Sequence, residues 1–551
     1  MDNVAPHTSE AAEPKIDPAV FARRWMILAV LCMSLMIVII GNTSLNTALP
    51  TLARELDAST TSLQWMVDSY SLIFAGLLFT AGTIGDRFGR KGTLQAGLVL
   101  FLVGAMVAAF ADTASMVIIA RAVMGVAAAF IMPSTLSILT NVFPANERPK
   151  AIGIWAGISG GGAAIGPIAS GWLLEHFWWG SVFLVNVPFI LVALVAGAIL
   201  VPKSKDPDDH PIDIPGAVLS IVALTSLVYG IIEAPHNGWT SPETLTTFAV
   251  AAVAVVAFIW RESTTASPML DLQLFRDRRF SVASAGMTLT FFAMFGTFFL
   301  LAQYLQLVLD YSPLESGLLQ LPVAFIIMMI APRIPKVVDR FGARWVVPVG
   351  LTFVAFGLSM LSFLGVDSPL ANVYYAMVPL ATGMAITMTP LTTLIMTSVP
   401  LGRAGVGSAM NDTTRELGGA LGVAVLGSIV TSQYGSGVAD AVGGLPDQLR
   451  GLADSGLSGA LAAGAQIGGS DGEALAASAR QAFVDGLGIA ALVGAAVVFT
   501  AAIVTRSLLP RPTTPPRAGT MAHIPVEGEL EPTEHPESHP EPPHPTSVAG
   551  D

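Results

Sequence analysis

Long runs of apolar residues, each about as long as a membrane is thick, recur along almost the whole chain. A helix needs about 20 consecutive apolar residues to cross the hydrocarbon core of a bilayer. Such runs follow one another from residue 26 to residue 505, separated by short charged or Pro/Gly-rich breaks. Only 12% of the 551 residues are charged, well below the roughly 25% of a soluble domain. The pattern predicts an all-α polytopic membrane protein.

The apolar runs can be counted as fourteen membrane spans. The predicted spans are 26–49, 63–83, 93–111, 116–140, 150–172, 181–201, 214–233, 244–260, 280–306, 316–332, 345–365, 372–395, 406–432 and 483–504.

The distribution of Lys and Arg orients these spans, because positive residues collect in cytoplasmic loops. With the N terminus inside, 22 of the 27 Lys and Arg residues fall in inner segments and three in outer ones. The remaining two, Arg121 and Arg415, lie within spans. An odd number of spans or the inverted orientation would spoil this partition. We therefore expect a multi-pass protein of a bacterial inner membrane with both termini in the cytoplasm.

Three segments fall outside the predicted spans at the two ends and near the last span. Residues 1–24 form a cytoplasmic N-terminal segment. The outer segment 433–482 is long and rich in Ala and Gly, with a helix-compatible stretch at 473–483, so a partly ordered hairpin is expected. The tail 507–551 is dense in Pro, Glu, His and Thr, cannot bury a core, and is expected to be disordered.

Four residues, Asp-Arg-Phe-Gly, occur twice at equivalent inner positions, at 86–89 after the second span and at 339–342 after the tenth. Many secondary transporters consist of duplicated bundles that rock about a site at the membrane midplane. We therefore expect two six-helix bundles, at 25–201 and 280–506, with two inserted helices at 202–279. The repeat also indicates transport by alternating access.

The first copy of the repeat belongs to a longer motif at residues 82–91, GTIGDRFGRK. This motif resembles the loop between helices two and three of the major facilitator superfamily. The match is to its fourteen-helix drug:proton antiporter branch, the QacA-like and EmrB-like multidrug exporters. A tight inner turn needs the glycine, and an acid near a helix end can interact with the partial charges of neighbouring helix termini. The alternative is an ordinary solvated loop. The resemblance implies a conformational switch formed by Gly82, Asp86, Arg87, Gly89, Arg90, Asp339 and Arg340.

Two further spans carry the resemblance. Arg121 in the fourth span looks like the family's buried arginine, and a guanidinium at membrane depth needs a partner. The resemblance implies that Arg121 takes part in proton coupling. The alternative is a structural role, in which Arg121 acts as a strut that links helices by hydrogen bonds. The fifth span looks like the family's antiporter helix, associated with export, where glycines allow close packing and a proline bends the helix. Generic small-residue packing is the alternative for that span. Its residues are Gly153, Gly162, Gly166, Pro167 and Gly171, with Ser170 where glycine is usual.

Carboxylates inside the spans are the candidates for binding protons and cations. Asp68 lies in the second span, and Asp412 and Glu416 lie four residues apart on one face of the thirteenth, all in family-like sequence. Removal from water favours a protonated carboxylate and a nearby cation favours the charged form, so a proton and a cationic substrate can compete. The alternatives are an interfacial Asp68 and a static pair between Arg415 and Glu416. We favour that pair, because only Glu416 adjoins Arg415 in sequence, and this leaves Asp412 as the free acid.

The sequence also lacks an acid at two places where members of the family carry one. Gly41 stands near the end of the first span where the family usually has an aspartate. Ile327 lies in the region of the tenth span where some QacA-like exporters carry an additional acid. Fewer acids predict fewer protons per cycle or a weaker preference for divalent cations.

The spans hold no constellation for enzyme catalysis. All eight histidines fall in predicted loops or tails, so they cannot form a metal site at membrane depth. A phosphate-binding loop for ATP is missing from the sequence. We therefore expect a transporter, not an enzyme, that is driven by an ion gradient and needs no cofactor and no metal. No nucleic acid partner is expected, and the chain is predicted to be a monomer among membrane lipids.

The resemblance implies proton-coupled export of lipophilic, cationic drugs or dyes. Aromatic and methionine side chains of the ninth span could line an adaptable apolar cavity for such compounds, although lipid-facing or core packing is the alternative for each of them. They are Phe291, Phe292, Met294, Phe295, Phe298 and Phe299, with Tyr304 nearby. The alternative function is export of one endogenous lipid or secondary metabolite by the same machinery.

Overall fold

A computed structural model describes residues 17–510, apart from 57, 59, 206–212, 266–267 and 455. Residues 1–16 and the predicted disordered tail from 511 onward lie outside the described residues. The helices of the described part are α1 (Pro18–Glu55), α2 (Thr60–Phe88), α3 (Arg90–Ala109), α4 (Ala114–Val142), α5 (Arg148–His176), α6 (Ser181–Leu184), α7 (Val187–Leu200), α8 (Ile214–Asn237), α9 (Pro242–Thr264), α10 (Arg278–Gln303), α11 (Pro313–Ile330), α12 (Ile334–Phe341), α13 (Ala343–Leu361), α14 (Leu370–Thr397), α15 (Ala404–Val442), α16 (Asp447–Asp454), α17 (Leu457–Ile467) and α18 (Gly469–Leu508).

Thirteen helical segments in the described part are long and apolar enough to cross a membrane. They coincide with thirteen of the predicted spans; the sixth span is divided between α6 and α7. The remaining prediction, the fifth span, lies within α5, whose 29 residues exceed the about 20 that a crossing requires. The protein is therefore an all-helical multi-pass membrane protein, as the apolar pattern predicts.

The buried side chains form two large hydrophobic cores. One lies mainly among α1 to α7 and includes Phe101 and Trp155. The other lies among α10, α11, α13 to α15 and α18 and includes Phe280 and Tyr304. Helices of the two groups meet where α5 packs on α11 and α14, and where α2 and α4 pack on α15. The expected two-bundle architecture is confirmed.

The inserted pair, α8 and α9, is attached to both bundles through α8. Leu72 and Ala75 of α2 are buried against Val228 of α8, and α15 packs on the same cluster. The start of α8 and the end of α9 are linked by Arg261, which donates to both carboxylate oxygens of Asp213, Nε to Oδ2 at 2.9 Å. Burial raises the pKa of Asp213, but hydrogen bonds from Arg261 and the Gly216 N–H lower it below its ordinary value. The inserted helices thus bridge the two bundles rather than hanging from one of them.

The outer segment 433–482 is more helical than a partly ordered hairpin. α15 continues to Val442 and α18 begins at Gly469, and the short helices α16 and α17 lie between them. The Tyr434 hydroxyl donates to the Ala453 carbonyl at 3.0 Å, which holds α16 against the end of α15. Gly456 and Gly468 adopt positive φ at the breaks, where a residue with a Cβ would be strained.

The two copies of the Asp-Arg-Phe-Gly repeat have the same local geometry. Both glycines adopt positive φ, 112° at Gly89 and 77° at Gly342, and both stand immediately before the next helix. In each copy the arginine lies over the ring of the following phenylalanine, at 5.5 and 5.4 Å from the ring centroid. The repeat is therefore structural as well as sequential, and the tight turn expected at Gly89 is present.

Gly89→Ala is expected to lower the free energy of unfolding by about 1 to 3 kcal/mol, because an alanine is strained at φ +112°. Gly92→Ala is the matched control: Gly92 lies in α3, and an added Cβ meets nothing within 4 Å. That substitution is expected to be neutral or to stabilise by up to about 1 kcal/mol. Thermal unfolding of both purified variants followed by tryptophan fluorescence compares them. Equal melting temperatures would show that the turn carries no strain.

Candidate proton and substrate site

The carboxylates of the thirteenth span lie in the first half of α15, between the bundles. Asp412 is about 12 Å along α15 from its first residue, from the helix rise of 1.5 Å per residue, toward the middle of a core about 30 Å thick. α15 packs on α2 and α4 of the N-terminal bundle and on α10 and α14 of its own bundle. The acids therefore lie at the surface where the bundles meet.

Arg415 is held by groups from both bundles. Its Nη2 donates to the Ser159 hydroxyl on α5 at 2.8 Å, and its Nη1 lies 3.7 Å from Asp412 Oδ1. The guanidinium carbon is 4.6 Å from the ring centroid of Phe291 on α10 and 5.4 Å from that of Trp155 on α5. The carboxylate of Asp412, one hydroxyl and two aromatic faces surround this cation, and Glu416 also interacts with it electrostatically.

The expected static pair between Arg415 and Glu416 is wrong, because the ion pair of Arg415 is with Asp412. Adjacent residues of a helix point about 100° apart, whereas residues three apart share a face. Glu416 is half-buried and, within the part of the chain that the structure describes, makes no ion pair and no hydrogen bond. The free acid is thus Glu416, and Asp412 is the paired one.

Asp412 is the more deeply buried of the two acids, with 1% of its side chain exposed. Its Oδ1 accepts from the Asn411 amide at 3.2 Å, and the Thr392 hydroxyl of α14 donates to Asn411 at 3.0 Å. The second oxygen, Oδ2, is buried and has no hydrogen-bond partner. Because an unpaired buried acceptor is unfavourable, this oxygen is a place for a proton or a ligand donor.

Arg121 is fully buried on α4 and joins three helices. Its Nε donates to the Met66 carbonyl of α2 at 3.0 Å, and its Nη1 donates to the Gly41 carbonyl of α1 at 2.9 Å. Its Nη2 donates to the Asn42 side chain at 3.3 Å, and the guanidinium lies 4.2 Å from the Tyr70 ring centroid. No carboxylate of the described residues contacts it. This is the geometry of a strut, and the role in proton coupling stays a prediction.

Gly41 stands where the resemblance noted in the sequence leads us to expect an aspartate, and its surroundings are compatible with glycine. A Cβ at this position would lie 2.6 Å from the Phe101 ring and 3.3 Å from the Asn186 amide. The space that a side chain needs is therefore taken by Phe101, and Arg121 uses the backbone carbonyl of Gly41 instead of a carboxylate.

Asp68 is half-buried on α2, on the side of the inserted helix α8. It interacts electrostatically with Tyr229 of α8, as do Glu233 and Glu243, and Tyr229 stacks on Trp65 at 6.3 Å. Two residues further along α2, Tyr70 interacts electrostatically with both Arg121 and Glu416. Of the four predicted coupling residues, Arg121 and Glu416 thus share Tyr70 as a neighbour, while Asp68 interacts with Tyr229 of α8.

Asp86 and Arg90 join the two bundles at one end of the helices. Asp86 accepts from Arg90 Nε at 2.8 Å and from the Gly405 N–H, at the start of α15, at 2.8 Å. Arg90 Nη2 in turn donates to the carbonyls of Leu401 and Gly402 at 2.9 and 2.6 Å. Both groups are almost fully buried. A carboxylate at a helix N-terminus is stabilised by the helix dipole. This contact holds the two bundles together at the end that the Lys and Arg distribution predicts to be cytoplasmic, and is hereafter called the cytoplasmic lock.

Only part of the predicted switch takes part in the cytoplasmic lock. A Cβ at Gly82 would lie 2.6 Å from the Gly405 carbonyl, so the glycine permits this approach of α2 to α15. Arg87 is half-buried over the following ring. In the second copy Asp339 and Arg340 are exposed, and alanine stands at the position equivalent to Arg90. The repeat is duplicated, but the cross-bundle contact is formed by the first copy.

The glycines of α5 face two different helices. Added Cβ atoms at Gly162 and Gly166 would meet α1, and those at Gly153 and Gly171 would meet residues of α11 and of the 3-10 turn that follows it. Pro167 lies within α5 and is close to Gly317 of α11. The small residues therefore allow α5 to approach its own bundle and the opposite bundle at the same time.

The sequence model of the Major Facilitator Superfamily matches residues 31–423. This chain belongs to that superfamily. Among its relatives, the "Multidrug efflux pump LfrA" of Mycolicibacterium smegmatis is 39% identical over 88% of this chain and 95% of LfrA. The "Tetracenomycin C resistance and export protein" of Streptomyces glaucescens is 33% identical over 88% and 91% of the two chains. The "Methyl viologen resistance protein SmvA" of Salmonella typhimurium is 34% identical over 84% and 93%.

Solved structures of the superfamily share the fold. The human organic anion transporter MFSD10 superposes with a TM-score of 0.56 and 12% identity, covering 88% of this chain and all of that one. A bacterial homolog of the human lysosomal transporter Spinster gives a TM-score of 0.56 at 18% identity, covering 90% and 100%. At these identities the likeness concerns the two-bundle architecture.

Several site residues were missed by the sequence reasoning. Trp155 and Ser159 lie in a helix noted only for its glycines, and Tyr70 was not singled out. The presence of Trp155 amid small residues was the one available signal. Of the predicted aromatic wall, Phe291 contacts Arg415 and Phe292 is buried, while Phe295 and Phe299 are exposed. The described residues include no group of three or more His, Cys, Asp or Glu that could hold a metal.

Proposed function

We propose that this superfamily member exports lipophilic, cationic compounds from the cytoplasm of a bacterium in exchange for protons, by alternating access in the inner membrane. The observation that carries the proposal is the pair of acids Asp412 and Glu416 at the meeting surface of the bundles, beside a cation on two aromatic faces. Relatives named for multidrug efflux and for methyl viologen resistance support the same substrate class.

The exchange follows from the competition between proton and cation for a carboxylate at membrane depth. A cation that binds from the cytoplasm displaces the proton, and a proton that binds from outside displaces the cation. In the form with a closed cytoplasmic lock, the site releases substrate outward and takes up a proton. Opening the lock then exposes the protonated site to the cytoplasm, where the proton is lost and the next cation binds.

A second candidate is a dedicated exporter of one endogenous product, favoured by the similarity to the protein named for tetracenomycin C resistance and export. The acids and the lock would serve it in the same way. The two candidates differ in substrate breadth, since a dedicated exporter moves its own product and not unrelated dyes.

Inside-out vesicles with an acidic lumen test the proposal. The protein is expected to accumulate ethidium in such vesicles, and a protonophore is expected to abolish accumulation within the assay time. Vesicles without the protein are the control. Accumulation that persists after the pH gradient is collapsed would contradict proton coupling, and transport of a single product but no dye would favour the dedicated exporter.

Asp68→Asn is expected to reduce ethidium accumulation at least tenfold, because an amide cannot alternate between binding a proton and a cation; tenfold is about 1.4 kcal/mol. The protein yield and membrane insertion should remain normal. Glu243→Gln is the matched control, because Glu243 lies near the same tyrosine but is exposed. Full transport by Asp68→Asn, at equal protein level, would place Asp68 among interfacial residues without a role in coupling.

A further inference from the structure

Arg415 occupies the surroundings that a lipophilic cation needs. A planar, delocalised cation binds best over aromatic faces with an acid at its edge, and the guanidinium of Arg415 has two rings, Phe291 and Trp155, and the carboxylate of Asp412. Trp155 and Phe291 are each at most 2% exposed and come from opposite bundles. The surroundings of Arg415 thus indicate that this pocket accepts a planar, delocalised cation.

Arg415 is less completely hydrogen-bonded than the fully buried Arg121. Its Nη1 lies 3.7 Å from Asp412 Oδ1, which is longer than a hydrogen bond. Among the described residues, neither the buried Nη1 of Arg415 nor the buried Oδ2 of Asp412 has a hydrogen-bond partner. Arg121, in contrast, uses each of its three guanidinium nitrogens in a hydrogen bond of 3.3 Å or less. A cation and an acid that are side by side but incompletely bonded are suited to exchange partners.

We propose that Arg415 is a tethered cation that fills the substrate subsite of the empty transporter, and that a planar organic cation must displace it in order to bind. The subsite consists of the rings of Trp155 and Phe291 and the carboxylates of Asp412 and Glu416. This inference rests on the proposed function. It adds that Arg415 competes with the substrate for the subsite. A substrate is then selected by its ability to replace the Arg415 guanidinium between the rings of Trp155 and Phe291.

Removing the competitor is expected to tighten substrate binding. When a site is free for only a fraction of the time, the measured Kd exceeds the intrinsic Kd by the inverse of that fraction. If Arg415 fills the subsite nine tenths of the time, Arg415→Ala should lower the Kd of ethidium about tenfold. Equilibrium binding to the purified protein in detergent measures this. Arg480→Ala is the matched control, since Arg480 pairs with Asp310 at 3.1 Å elsewhere in the protein and is expected to leave the Kd unchanged.

In Arg415→Ala, the subsite that the guanidinium no longer fills should also bind a free guanidinium compound. Methylguanidinium at millimolar concentration is expected to compete with ethidium on Arg415→Ala and to raise the melting temperature of that variant, because a ligand that binds only the folded state stabilises it. Wild type and Arg480→Ala should respond no more than they do to the same concentration of sodium chloride. Adding Phe291→Leu to Arg415→Ala should weaken both effects.

The outcomes separate the inference from the function on which it rests. Unchanged or weaker ethidium binding by Arg415→Ala, without methylguanidinium sensitivity, overturns the tethered cation and makes Arg415 a strut. If that variant does not fold, Arg415→Gln keeps a polar side chain without the charge, and the same tightening is expected of it. If the wild-type protein exports ethidium but neither variant binds ethidium more tightly, only the inference is refuted. Wild-type protein that neither binds nor exports ethidium refutes the proposed function as well.

Discussion

Glu416→Gln is expected to abolish ethidium export driven by a pH gradient while the melting temperature stays close to that of the parent. Glu416 is half-buried beside the bundle interface and has no ion pair or hydrogen bond in the described part of the chain, so neutralising it breaks neither kind of contact and removes only longer-range electrostatic interactions. The lost carboxylate can no longer exchange a proton for a cation. Asp412→Asn, in contrast, leaves the buried Arg415 without its acid, and breaking a buried pair costs about 3 kcal/mol of unfolding free energy.

Melting temperatures of the purified variants and dye accumulation at several imposed pH gradients test this division of roles. It is the reverse of the division that the sequence suggested, because the ion pair of Arg415 is with Asp412. A stability loss confined to Glu416→Gln, with Asp412→Asn losing only the response to the pH gradient, would restore the earlier assignment and contradict the observed pairing.

Arg90→Ala is expected to open the cytoplasmic side and reduce export more than tenfold, about 1.4 kcal/mol or more in the transport cycle. The substitution removes the donor to Leu401 and Gly402 and leaves Asp86, which is 4% exposed, without its cation. Both losses weaken the cytoplasmic lock, so the population shifts toward the form open to the cytoplasm. Substrate binding at the distant site on α15 should remain.

Thiol labelling detects the shift. Ala409 is fully buried next to the cytoplasmic lock. A Cβ added at Gly82 would lie 3.1 Å from the Cβ of Ala409. Ala409→Cys is therefore expected to react slowly with an impermeant reagent in inside-out vesicles. Adding Arg90→Ala should raise the labelling rate. Lys91→Ala is the matched control, because Lys91 donates to the Ala198 carbonyl within its own bundle. Equal labelling of all three proteins would mean that the Asp86–Arg90 contact does not hold the bundles together.

Much of the fold follows from local patterns in the sequence. A helix that crosses a bilayer satisfies its backbone hydrogen bonds within itself, so each apolar run determines one helix almost independently of the others. The glycine of the first Asp-Arg-Phe-Gly motif likewise predicted a tight turn, and Gly89 adopts positive φ, as does Gly342 in the second copy. The outer segment 433–482 was less predictable, because its Ala and Gly content suits helices and loops alike, and packing of Tyr434 against α16 decides between them.

The candidate site depends on contacts between residues that are not adjacent in the sequence. The sequence by itself determined the membrane helices, the duplicated bundles and the acids on α15, because hydrophobic length and helical periodicity are local properties. Only the tertiary structure decided which acid meets Arg415, that Arg121 is bound by backbone and amide oxygens, and that Asp86 reaches the start of α15. These partners are brought together by the packing of helices from both bundles, and a buried polar group takes whichever partner that packing places within reach.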